Sequence, residues 1–207
     1  MLKIYHAPRT RGFRAIWLCE ELEIPYEIVA VDMASPYRKG PEYRLLNPLG
    51  KVPALIDGDL IMFESGAINQ YVLDCYGKGK LQPATGSAEH AIYLQWCWYA
   101  EATFSRPLGE IVNHKREFAG SPLPAVIDEM KSRARACAQV LGTALNGKTW
   151  ILGETFSGAD IMLGLTLRAY LRLMDEDFPD SVKPYWERVT QRPAYKRAIE
   201  AETSTAA

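Results

Sequence analysis

The strand signal of this chain stops at residue 78, and that change of periodicity limits what the sequence can fold into. Over the first eighty or so residues, short β-branched runs alternate with helical stretches. Beyond them, apolar residues recur only at helical spacing. Neither one continuous sheet nor one helical bundle accounts for the whole, so two units are expected. Between them Lys78 to Ser87 (KGKLQPATGS), polar with two Gly and one Pro, reads as the linker. The expected division is an α/β unit over 1–79 and an all-helical unit over 87–202. At roughly 80 and 120 residues neither has much core to spare, so interfaces are expected to contribute to stability.

In the first unit, Leu2 to Tyr5 is a strand candidate. After the break HAPRTRG, the positions Phe13, Ile16, Trp17 and Leu22 mark a helix ending at Ile24-Pro25. Tyr26 to Val31 reads as a second strand. Pro36 to Gly50 is turn-rich, with room for at most a short helix. Ala54 to Ile56 and Leu60 to Met62 flank Asp57-Gly58-Asp59, a hairpin signal because glycine accepts the positive φ of such turns. Ser65 then opens a helix closed by Gly77. The order β-α-β-(α)-β-β-α makes the first two strands parallel and the hairpin pair antiparallel.

In the second unit, Ala88, Ile92, Trp96, Tyr99 and Thr103 share a helical face, on a helix that bends or ends before Pro107. Val126, Met130, Ala134, Cys137 and Leu141 form another stripe, stopped by Asn146-Gly147. Ser157 to Leu173 is apolar nearly all round and reads as a buried helix. Shorter helices follow at Val182 to Val189 and Tyr195 to Ile199, with Pro193 suited to a first turn. The tail ETSTAA reads as disordered.

Charge and composition narrow the function classes. Lysine plus arginine total 24 against 25 acidic residues, a net charge of -1, which excludes the electrostatic footprint of a nucleic-acid binder. No apolar run approaches the roughly 18 residues of a membrane span, and the N-terminus lacks the order of a signal peptide. A cytoplasmic protein with no membrane partner is expected. Cys19, Cys75, Cys97 and Cys137 are irregularly spaced, with no C-x-x-C pair and no histidines at zinc spacing. They read as buried thiols, and no metal is expected.

Three segments carry candidate chemistry. In Asn47-Pro48-Leu49-Gly50-Lys51-Val52-Pro53-Ala54-Leu55 a proline stands at the entry to a strand, where no ladder donor is needed. With a trans Val52-Pro53 bond this is an ordinary turn; with a cis bond it offers the N–H and C=O of Val52 to an extended ligand. In Phe63-Glu64-Ser65-Gly66, Ser65 is placed at a helix N-cap, where free N–H groups and the helix dipole favour a carboxylate. Glu64 beside it either serves the cap or meets an ammonium group. Together, a peptide-like clamp and an anion site suit a zwitterionic peptide. In Pro8-Arg9-Thr10-Arg11-Gly12, a hydroxyl or an arginine can donate to an anion above the sheet, or Thr10 can cap the helix.

These motifs in this order resemble the cytosolic glutathione S-transferase superfamily. The resemblance extends over essentially the whole chain. It includes Asn47-Pro48, Val52-Pro53 and Glu64-Ser65, and, in the second unit, Phe156-Ser157-Gly158-Ala159-Asp160-Ile161, similar to that family's capping-box segment. It implies a thioredoxin-like α/β N-terminal domain followed by an all-α domain, and a cis bond before Pro53. It further implies glutathione as co-substrate, with Val52 pairing its cysteinyl part and Glu64 and Ser65 holding its γ-glutamyl end. Lys51 lies where a basic side chain approaches the glycine carboxylate, or is simply a solvated lysine.

Serine-type members place the catalytic serine four residues before an arginine that opens the helix. Counting back from Arg14 gives Thr10, which keeps the hydroxyl and adds a methyl; Arg11 is the rival donor. The implied activity is transfer of the glutathione thiolate to a small hydrophobic electrophile by a homodimer. Isomerisation, dehalogenation or peroxide reduction with glutathione, and a non-catalytic binding module, are the alternatives. Phe13, Tyr99 and Phe104 are either pocket-lining or core, and Glu101 is a candidate for reaching the partner's glutathione.

Overall fold

Strand β1 (Leu2–His6) is central to the sheet of the first unit, between β2 (Tyr26–Ala30) and β3 (Ala54–Asp57), with β4 (Leu60–Phe63) outside β3. β1 and β2 run parallel, Leu2 opposite Tyr26 and His6 opposite Ala30. β3 runs antiparallel to both β1 and β4. The alternation Leu2, Ile4, His6 points inward, and all three are buried. β1 reaches one residue past its expected end because the His6 carbonyl accepts the Val31 N–H at 2.8 Å, a pairing indifferent to the side chain. Gly58 supplies the hairpin's positive φ, 58°.

The computed structural model describes residues 1–204. They form two compact units, one of Met1–Leu81 with the segment from Thr190 on, the other of Gln82–Val189.

In the first unit, helix α1 (Phe13–Leu22) follows β1 and has no solvent face over Phe13–Cys19. It ends at Glu23, left-handed at φ 54°, just before Ile24-Pro25. A short 3-10 turn (Pro36–Lys39) and α2 (Pro41–Leu46) occupy the region expected to hold at most one short helix, each started by a proline. Helix α3 (Ser65–Tyr76) covers one side of α1, and the last helix, α9 (Pro193–Ser204), covers another.

The rings of Phe13 and Trp17 meet Tyr195 edge-on at 5.7 and 5.0 Å. Arg192 donates to both carboxylate oxygens of Glu21 at 2.6 Å, and Arg197 Nε donates to Glu20 at 2.7 Å. Burying aromatic side chains of this size is worth about 1.5–3 kcal/mol each, which explains why the chain returns here. Thr190 onward packs with the first unit; periodicity states that a helix is amphipathic but not which surface it covers. The disordered tail expected over 202–207 is corrected: α9 continues to Ser204 and Glu202 is buried. Residues 205–207 lie outside the described residues.

The second unit is helical: α4 (Ala88–Trp98), a π-helical segment (Tyr99–Phe104), α5 (Ser105–Glu117), α6 (Pro124–Ala144), α7 (Gly158–Leu173) and most of α8 (Lys183–Gln191). The buried face runs through Tyr93, Trp96, Ala100 and Phe104, while Ala88, Ile92 and Thr103 are exposed, so the expected face is rotated. The rotation already stands at Ile92 and Tyr93, ahead of the π segment, which widens the helix before Pro107, whose ring would otherwise crowd the carbonyl of Thr103. On α6 the buried set is Ala134, Ala138, Leu141 and Gly142, with Val126 exposed and Cys137 half-buried. Helix α7 starts in a capping box between Ser157 and Asp160. The buried Asp160 carboxylate also accepts from Ile151 N–H and Tyr185 O–H, both at 2.9 Å. The cysteines are free, but only Cys19 is buried; Cys75 is exposed and Cys97 and Cys137 are intermediate, which corrects the expectation of four buried thiols. Among the described residues, no helix is long and apolar enough to cross a membrane.

Candidate functional site

Strand register brings the three candidate segments to one end of the sheet. Tyr5 pairs with Ala54, and Ala54 pairs with Phe63, so these three residues form a row across β1, β3 and β4. At that row β1 runs out into the 7–12 loop, β3 enters from Val52-Pro53, and β4 exits into Glu64-Ser65. This is the carboxyl end of β1, the side where α/β units collect ligands.

In the first loop, Arg9 is left-handed at φ 63° and Thr10 is half-buried. The Thr10 hydroxyl donates to the Ala7 carbonyl at 2.6 Å and faces His6 Nδ1 at 3.3 Å. It does not cap α1: the cap residue is Gly12, with no side-chain bond. The capping role is therefore removed and the donor role for Thr10 stays open. Arg11 is half-buried alongside it. Behind the loop, buried Glu202 accepts from His6 Nε2–H at 3.0 Å and from the Arg9 N–H at 2.9 Å. Gly12 is required by close approach, since a Cβ there would lie 2.5 Å from His6 Nδ1. Sequence reasoning missed His6, which it placed in the loop, and Glu202, which it placed in the tail.

The second segment is held from inside. Buried Asn47 accepts the Leu49 N–H at 3.1 Å through its side chain, and Gly50 closes the turn at φ 62°. Arg38, also missed, donates to the Met33 carbonyl at 2.9 Å and the Gly50 carbonyl at 3.1 Å. Tyr43 O–H, pushed up to about 12 chiefly by burial and so protonated at neutral pH, donates to the Lys51 carbonyl at 2.9 Å. The Lys51 side chain is exposed, Pro53 is buried and the Val52-Pro53 bond is cis. Val52 is half-buried and precedes the strand pairing, which begins at Ala54.

At the third segment Ser65 is not the N-cap. Glu64 takes that place, at φ 73° and ψ 106°, with no side-chain cap bond. A non-glycine residue in that region costs about 1–3 kcal/mol, a strain found mostly at ligand sites and switches. Ser65 is the first helical residue, 2% exposed, and its Oγ accepts from Arg14 Nη1 at 3.0 Å. Accepting from the guanidinium leaves the serine proton to donate outward. The buried Arg14 charge and the amino end of α3 both favour an anion there.

Phe13 and Phe104 are fully buried, each in the core of its own unit. Tyr99 O–H donates to the Cys137 carbonyl at 2.8 Å, and burial pushes its pKa up. A cavity of about 470 Å³ in the second unit, lined by residues that include Arg106, Glu110, His114 and Met130, contains none of the candidate residues.

Residues 1–74 match the family model described as glutathione S-transferase, N-terminal domain. The chain is 29% identical to a disulfide-bond oxidoreductase of Escherichia coli (strain K12), over 96% of this chain and 94% of that protein. It is also 29% identical to glutathione S-transferase 3 of Zea mays, over 97% and 94%. A solved glutathione transferase from Phanerochaete chrysosporium, with oxidized glutathione, superposes with a TM-score of 0.89 at 28% identity, covering 98% of this chain and 95% of that one. The thioredoxin-like sheet, the helical second unit and these similarities agree in supporting the cytosolic glutathione S-transferase superfamily for this chain.

Proposed function

We propose that this protein is a glutathione S-transferase that binds glutathione at the carboxyl end of β1 and transfers its thiolate to a small hydrophobic electrophile. The observation that carries the reading is the Glu64-Ser65 turn. A strained glutamate exposes its carboxylate beside a buried serine backed by Arg14, a pairing suited to the ammonium and carboxylate of a γ-glutamyl group. Val52 supplies backbone groups for the cysteinyl residue, beside Pro53, and Lys51 supplies a cation for the glycine carboxylate. Thr10 donates its hydroxyl to the sulfur, with Arg11 as the rival donor.

Thiolate formation supplies only part of the rate. A free thiol of pKa ~8.5 is about 3% ionised at pH 7, and lowering it to ~6.5 gives about 75%, roughly a 25-fold gain. Lost basicity takes back about eightfold of that on the disulfide-exchange slope, leaving about a threefold gain. The larger share comes from holding the electrophile against the sulfur, where effective molarities reach about 10⁵ M or more.

A homodimer fits the exposed apolar side chains Ile92 and Trp98 on α4, with Glu101 the candidate for reaching the partner's glutathione. The free cysteines fit a reducing cytoplasm. A second reading, thiol–disulfide exchange by the same thiolate, is favoured by the similarity to the disulfide-bond oxidoreductase.

Calorimetry with glutathione tests the shared basis: absence of binding overturns both readings. Turnover of aryl and alkyl halides by the bound complex supports the transferase; reduction of a mixed disulfide without conjugation supports the exchange reading instead.

A further inference from the structure

We infer that His6 and Glu202 form a buried proton relay behind Thr10, which takes up the proton released when the glutathione thiol ionises. The inference rests on the reading of Thr10 as the thiolate ligand. His6 and Glu202 stand 196 residues apart in sequence and are 1% and 3% exposed. Oε1 of Glu202 accepts twice, from Arg9 N–H at 2.9 Å and from His6 Nε2–H at 3.0 Å. An ionised carboxylate only accepts, so it fixes the proton of the neutral imidazole on Nε2 and leaves the Nδ1 lone pair facing Thr10 Oγ1, 3.3 Å away.

Two further observations separate this arrangement from simple fastening of α9. That helix is already tied to α1 by Tyr195, Arg192 and Arg197. The imidazole also sits where only glycine is tolerated at position 12, its Nδ1 2.5 Å from a would-be Cβ, so the chain keeps space for the ring against the loop. From α9 the ring meets Glu202. From the loop, Arg9 and Arg11 add permanent cations. β2 and β3 bring Ala30 and Ala54 to that end of the sheet, and α1 brings Gly12, none of which titrates.

At rest the Thr10 hydroxyl donates to the Ala7 carbonyl. When glutathione binds, that O–H turns to Nδ1. The S–H bond then breaks, its proton bonds to Thr10 Oγ1, and the proton already on Oγ1 passes to Nδ1. The products are a thiolate accepting from Thr10 O–H and an imidazolium paired with Glu202. No electron changes owner and no proton is lost to solvent. His6 and Glu202 act through Thr10 and are positioning residues; the acid–base logic is that of a hydroxyl, an imidazole and a buried carboxylate.

The test follows the ultraviolet absorbance of the bound glutathione thiolate against pH, with glutathione affinity measured in parallel by calorimetry. Glu202→Gln keeps the shape and removes the charge that stabilises the imidazolium. It is expected to raise the titration midpoint by about one unit, an approximately tenfold loss of thiolate below it, with affinity measured well below the midpoint unchanged within about threefold. Adding Glu202→Gln to Thr10→Ala is expected to shift the midpoint no further. Superimposable curves for Glu202→Gln and wild type, or fully additive shifts, overturn the relay. Should the variants fail to fold, ¹⁵N-histidine spectra of wild type decide. The chain has three histidines, and His6 is expected as the Nε2–H tautomer that becomes doubly protonated when glutathione is added. An Nδ1–H tautomer, or no change on binding, overturns the relay. A wild type with no bound thiolate, or an unmoved Thr10→Ala curve, would instead remove Thr10 from its role, and the relay with it.

Discussion

Ser65→Ala tests two functions of one oxygen. In the free protein Ser65 Oγ is the acceptor for Arg14 Nη1 at 3.0 Å, with both side chains out of solvent. A hydrogen bond to a charged group contributes about 1.5–3 kcal/mol. In a chain of this size each kcal/mol moves the melting midpoint by about 2–4 °C, so the variant is expected to melt about 3–12 °C lower without ligand. If the same hydroxyl donates to the γ-glutamyl carboxylate, a loss of similar size weakens glutathione binding about 10- to 150-fold. Scanning calorimetry reads the first effect and titration calorimetry the second. A melting point within about 1 °C of wild type would refute the argument that Ser65 supports the Arg14 charge. An unchanged dissociation constant would refute its place in the glutathione site, whatever the stability result.

Asp160→Ala strips the acceptor from Ile151 N–H, Ser157 N–H and Tyr185 O–H in a fully buried setting, and chemical denaturation is expected to show a loss of about 3–5 kcal/mol. A loss below about 1 kcal/mol would contradict the network's role. The Asp57 carboxyl is held below its usual range first by the Tyr76 hydroxyl and also by that of Tyr71, which ties β3 to α3. Its folded pKa is depressed, so its contribution is present above the unfolded value, about 3.9, and is lost as pH falls through the folded one. Wild type is expected to lose stability over that acid window more steeply than Asp57→Asn; parallel profiles would contradict this. Burial pushes the Cys19 thiol up to about 12, leaving about one part in 10⁴ ionised at pH 8. Thiol labelling with mass mapping is expected to modify exposed Cys75 first and Cys19 only on unfolding; early modification at Cys19 would count against its burial.

Much of the fold is legible in the sequence because its signals are local. β-branched runs, the Asp57-Gly58 turn and the helix between β1 and β2 fix the direction of β1 against β2 and of β3 against β4 without long-range knowledge. What fails depends on partners distant in sequence. Serine is a favoured N-cap, so Ser65 reads as one, yet its oxygen is engaged by Arg14 and the cap falls to a strained glutamate. The α4 face is misread by one position, Ile92 for Tyr93, because apolar residues stand side by side there and spacing alone does not say which stripe is covered. His6 and Glu202 carry no mutual signal at all, one beside a turn-rich loop and the other in a tail that looks unstructured. The same limit applies to the cysteines, whose burial depends on which side of a helix is covered.

The most direct test of the account is a crystal structure with reduced glutathione bound. The account predicts the sulfur within about 3.5 Å of Thr10 Oγ1, a hydrogen-bonding approach, with the γ-glutamyl group at Glu64 and Ser65 and the cysteinyl backbone at Val52. A sulfur whose nearest donor is Arg11 or a loop N–H, with Thr10 still bonded to the Ala7 carbonyl, would contradict it.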